Sequence, residues 1–165
     1  MSFWESTEGS PKHPVAAFRC VCLAIVVTLL VTPTRAQPLC VEMEAESGPL
    51  TTVPVSLGNE FSLSFRHSLY GSLVEEHFRI TTKGLQTFKL RYGEPRLLEF
   101  YGHESGRLDN GWWIVEGNRG EVQTLVFRFS PESLAKINFS TSTIALSEIA
   151  GPTGLVRVRI ASCEK

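Results

Sequence analysis

Charge of one sign is what this sequence has too little of to bind nucleic acid. Sixteen lysines and arginines stand against 17 aspartates and glutamates in 165 residues, a formal net charge of −1. A nucleic-acid partner favours a basic face that neutralises phosphates, so that class is disfavoured. Cysteine is scarce, four in all. Outside the leader only Cys40 and Cys163 remain, too few for a structural zinc site, and no histidine pair stands at finger spacing. There is no Gly-x-Ser-x-Gly, no phosphate-binding glycine loop, no His-Glu-x-x-His and no paired Cys-x-x-Cys. No catalytic, metal or cofactor motif is therefore present, and neither a cofactor nor a metal is expected. Long apolar runs are lacking too. The most apolar stretch, residues 20–31, is 12 residues long, short of the roughly 20 that span a bilayer as a helix.

That short run has a purpose of its own. Lys12, His13 and Arg19 precede it, and Thr34-Arg35-Ala36 follows with a small residue at each end. This is the order of a secretory signal. Residues 1–36 are read as a signal peptide, with an N-terminal membrane anchor as the alternative, and residues 37–165 as one domain. Export implies the periplasm or the periplasmic face of the inner membrane. It also implies an oxidising compartment. Cys40 and Cys163 lie in strand-like segments at the two ends of the domain, and domain termini often lie close together, so a disulfide between them is expected.

Past the leader the pattern is period two. Leu39, Val41 and Met43 alternate with Cys40, Glu42 and Glu44, and Phe61, Leu63 and Phe65 alternate with serines and Arg66. Further strand-like segments are read at 50–57, 74–80, 85–90, 97–101, 112–115, 122–129 and 155–160. Glycine and asparagine punctuate them. Ser130-Pro131-Glu132 reads as a capped helix start. The fold expected is all-β and mostly antiparallel, a sandwich or partly closed barrel of about eight strands with at most one short helix.

Two ionisable residues interrupt apolar faces. His67 continues the face of Phe61, Leu63 and Phe65, and Glu76 lies between Val74 and Phe78. An unpaired charge is costly to bury, so the two are expected to meet across a hairpin. A two-residue turn at Gly71-Ser72 pairs His67 with Glu76, Phe65 with Phe78 and Leu63 with Ile80. The simplest role for such a contact is to lock the hairpin, and a ligand site is the alternative. Trp112 and Trp113 are neighbours, so one faces the core and the other is a candidate interface anchor. His103, Glu104 and Asp109 share a loop without a metal-binding spacing.

His67-Ser68-Leu69, a short gap, then Val74-x-Glu76-x-Phe78 resembles the signature of the family called domain of unknown function 1850. Asp109-Asn110-Gly111-Trp112-Trp113 and Leu39-Cys40-Val41 are similar to two further stretches of that family, and the resemblance covers residues 38–161 or thereabouts. Leu73 stands where a proline is common, and residues 92–103 match the family's glycine-rich segment poorly. Members are similar to small envelope proteins encoded beside tripartite ATP-independent periplasmic (TRAP) transporters of the TAXI type, which carry organic acids. The resemblance implies a non-enzymatic accessory or binding protein. Its implied partners are the transporter's membrane or substrate-binding subunits, or a small organic acid. A stand-alone periplasmic binding protein is the second reading. A hydrolase with His67 as base and Glu76 as its orienter is the third.

Overall fold

The structure, a computed structural model, describes residues 38–163 apart from 47 and 118. The stretch read as a signal peptide or anchor, residues 1–36, lies outside the described residues. The strands are β1 (Leu39–Ala45), β2 (Thr51–Val55), β3 (Glu60–Arg66), β4 (Leu73–Thr81), β5 (Gly84–Tyr92), β6 (Arg107–Asp109), β7 (Trp112–Glu116), β8 (Glu121–Val122), β9 (Thr124–Phe129), β10 (Lys136–Phe139), β11 (Thr143–Ala145) and β12 (Gly154–Ser162). Two five-residue helices, α1 (Arg96–Phe100) and α2 (Leu146–Ala150), complete the set with a 3-10 turn at Pro131–Ser133. One sheet has the order β2-β1-β12-β9. The other runs β11-β10-β3-β4-β5-β7-β6, with β8 also paired to β5. All pairings are antiparallel. The sheets do not close on one another, so of the two expected architectures the sandwich is the one adopted.

Alternation builds the core. Val156 and Val158 of β12 are buried while Arg157 and Arg159, which alternate with them, are exposed. Val74, Phe78 and Ile80 do the same on β4. Each such side chain contributes about 1.5–3 kcal/mol on leaving water. The disulfide is present: Cys40 and Cys163 are bonded, with Cα atoms 5.1 Å apart. It ties the starts and ends of two paired strands, since Leu39 stands opposite Ser162.

Twelve strands and two short helices are described where about eight strands and at most one helix were expected; β6, β10, β11 and α2 have no counterpart in the sequence pattern, and three segments that were read differ from it. Residues 97–101, expected as a strand, belong to α1 and its C-cap. Leu97 and Leu98 are both buried. Adjacent residues on a strand face opposite ways, whereas in a helix both can reach one core. Pro95, at the N-cap, was the overlooked start signal. Residues 122–129 divide at Gln123, where the chain passes from the larger sheet to the smaller. Gly84 permits this: a Cβ there would lie 2.5 Å from the carbonyl oxygen of Val122. The expected helix at Ser130 is a single 3-10 turn, stopped by Leu134 in the left-handed region (φ 48°).

Candidate functional site

The β3–β4 connection is a six-residue loop, 67–72, and not a two-residue turn. Arg66 pairs with Leu73, Phe65 with Val74, Leu63 with Glu76 and Phe61 with Phe78. The expected register is thus wrong by four residues. Four is even, so the faces were right, and apolar residues meet in either register. The loop itself decides between the two. The His67 N–H donates to the Ser72 carbonyl (2.8 Å), and the Gly71 N–H donates to the His67 carbonyl (2.7 Å). The imidazole Nδ1 faces the N–H groups of Leu69 (3.3 Å) and Tyr70 (3.4 Å). Arg66 Nη1 donates to the Gly71 carbonyl at 2.9 Å. These bonds hold together backbone that a two-residue turn would have placed in the ladder.

His67 is accordingly the organiser of its loop. It is 7% exposed. Its ring stacks on Tyr70 (5.3 Å between centroids) and meets the edges of Phe100 (4.7 Å) and Tyr101 (5.9 Å). The Arg96 guanidinium lies over Tyr70 at 4.9 Å. With Nδ1 accepting, the neutral ring carries its proton on Nε2.

Glu76 is on the inner face of the larger sheet with Val74 and Phe78. It makes no hydrogen bond or ion pair with His67 among the described residues, so the direct contact expected from sequence is not formed. Burial pushes its carboxyl above the usual carboxylate range. Tyr101 is also raised, to about 12, by burial first and then by the Glu76 charge.

His67, Ser68 and Glu76 nevertheless border one cleft of about 480 Å³. Phe65 and Arg66 join them from β3, Tyr101 from the C-cap of α1, and Phe127, Arg128, Phe129, Ser130 and Ser133 from β9 and the turn after it. The sequence-flagged residues are therefore brought together through a shared cavity. Arg66, Tyr101, Phe127 and Arg128 were not flagged. Their position depends on α1 and on the switch of sheets at Gln123, neither of which period-two patterning shows.

Two other polar groupings lie outside the lining of this cleft. Behind Tyr101 its stacking partner Tyr92 (5.2 Å) is buried, and the Tyr92 hydroxyl lies 2.8 Å from His103 Nε2. Arg119 lies 2.8 Å from His103 Nδ1. Arginine only donates, so Nδ1 accepts and the neutral ring gives its Nε2 proton to Tyr92. Burial, and then Arg119, lower the His103 pKa. Among the described residues no His, Cys, Asp and Glu cluster is arranged to hold a metal. On the outer face of the larger sheet Ser62 stands opposite His77 and Ser64 opposite Glu75. That set looks like a nucleophile, base and orienter, but Asn138 Nδ2 donates to both hydroxyls (3.3 and 3.0 Å). His77 and the Arg91 guanidinium hold the Glu75 carboxyl below its usual range, against burial. Arg91 in turn lies 4.3 Å over the ring of Trp112, the outward tryptophan, while Trp113 packs on the core.

No family model, curated protein or solved structure matches the chain.

Proposed function

We propose that this protein acts by binding and not by catalysis, as an exported accessory of a TAXI-type TRAP transporter for organic acids, with the cleft beside His67 and Glu76 as its binding site. The observation that carries the reading is the state of those two residues. His67, the histidine among the described residues of the cleft, spends Nδ1 on its own loop. Glu76 has no hydrogen-bonded partner among the described residues and so orients nothing. A hydrolytic role needs a base that is free and oriented. What the cleft offers instead is recognition chemistry: aromatic walls, the two cations Arg66 and Arg128, and a carboxyl whose pKa burial raises. Its volume lies within the range of small-ligand sites. The signature residues of the resemblance, His67, Ser68 and Glu76, all border it, which supports the transporter-accessory role over a general one.

The test is co-purification. The tagged full chain, isolated from membranes of its host, is expected to bring down a membrane or substrate-binding subunit of a TRAP transporter, and Glu76→Arg is expected to reduce the yield. Recovery of no transporter subunit under gentle solubilisation overturns the reading.

A further inference from the structure

The sandwich has four sheet edges, and three of them are guarded. β2 carries Pro54, while β6 and β11 are only three residues long. Proline and short length are the devices by which natural sheets keep an edge from pairing with another chain. The fourth edge, β9, has neither. It runs for six residues, Thr-Leu-Val-Phe-Arg-Phe, in unbroken register with β12. These are good strand formers. Among the described residues β9 pairs with β12 alone, and Val126 is 52% exposed.

The cleft lies on the open side of this edge. None of its lining residues comes from β12, whereas Phe127, Arg128, Phe129 and Ser130 line it in succession. Neighbouring side chains of a strand point to opposite faces. Three consecutive residues of β9 and the Ser130 that follows it border the cavity together, as expected of a strand whose backbone edge faces it. Tyr101 stands across the gap, and Phe65 and Glu76 come from the inner face of the larger sheet.

We propose that this cleft takes an extended peptide segment of a partner protein, which adds to β9 as a fifth strand of the smaller sheet. The inference rests on the reading of the cleft as a binding site and names its occupant. At about 3.3 Å per residue, the edge from Phe127 to Phe129, continued by the extended backbone of Ser130, matches a four-residue segment. Strand addition takes affinity from main-chain hydrogen bonds and specificity from alternate side chains. Here the inward side chains of the segment meet Phe65, Phe127 and Tyr101, so they are apolar. The outward one meets Arg128, which has no ion-pair partner among the described residues, so it is acidic.

The experiment selects phage-displayed random heptapeptides on the full chain, followed by resynthesis of the enriched peptide. An apolar-acidic-apolar alternation is expected. N-methylation at every second residue of the bound stretch should weaken binding about tenfold, with the intervening positions indifferent, because each lost backbone bond carries about 1.4 kcal/mol. Arg128→Glu should weaken it as well. Arg157→Glu, on β12 and away from the cleft, should not. Failure to enrich any peptide, N-methyl effects without alternation, or indifference to Arg128→Glu overturns the proposal. So does stabilisation of the fold by succinate with no peptide enriched, which assigns the cleft to a small acid. If a transporter subunit co-purifies equally with wild type and Arg128→Glu, the accessory reading stands and strand addition falls. If peptides bind as described and no transporter subunit is recovered, the reverse holds.

Discussion

Glu76 is the residue whose behaviour most depends on its surroundings. Burial raises its pKa above the ordinary value of 4.5, so the folded chain holds this proton more tightly than the unfolded chain does. The stability so gained is complete below the ordinary value and is lost as pH rises through the folded one. Glu76→Gln, which resembles the protonated acid, should therefore raise stability at pH 7 by on the order of 1 kcal/mol and change it little at pH 4. Urea denaturation at the two pH values measures this. An equal effect at both would mean that burial does not govern the carboxyl. The sequence showed that Glu76 was misplaced on an apolar face. It did not show which residue stood opposite, because Leu63 and His67 are four apart and continue one period-two face in the sequence, although β3 ends at Arg66.

At the scale of the element, alternation legible in the sequence survived in almost every long strand, and short or folded-back pieces escaped it. β6 and β11, each three residues, are too short to show a period. Residues 67–72 look like strand followed by turn until the imidazole of His67 is seen to organise the backbone. Side-chain-to-backbone bonding of this kind competes with the ladder and has no periodic trace. Gly84 shows another hidden constraint. Its φ of 130° and the carbonyl of Val122 leave no room for a side chain. Gly84→Ala should destabilise the β4–β5 hairpin and release β8 from β5, by about 1–3 kcal/mol for the strained backbone. Faster hydrogen exchange at Leu85 and Val122 is the expected signature, and unchanged protection there would show that the contact is dispensable.

For the whole molecule, the class of fold and the pairing of Cys40 with Cys163 were legible, because alternation and the position of two cysteines at the ends of one domain depend little on topology. The distribution of strands between sheets was not. It follows from Gln123, where one apparent strand becomes two, and from the helix after Pro95. The candidate cleft was legible only as a list of odd residues, since its far wall comes from that helix cap and from β9. The disulfide links residues 123 apart in sequence. Closing so long a loop restrains the unfolded chain, by about 4 kcal/mol in the chain-entropy model. Reduction should lower the denaturation midpoint accordingly, and Cys40→Ala with Cys163→Ala should reproduce the loss without reductant. A reduced protein with an unchanged midpoint would show that the bond constrains nothing.

The same bond has a mechanical meaning. β1 and β12 run antiparallel, and Leu39 faces Ser162, so the described chain enters and leaves the domain at one corner. A load applied between those two ends, with no bond there, would peel the pair apart rung by rung from that corner, the weakest way to pull on a ladder. With Cys40 and Cys163 joined, the load passes through two sulfur atoms and never reaches the sheets. A protein held at either end would then carry tension without extension for as long as this bond stays oxidised, and would become compliant once a reductant broke it.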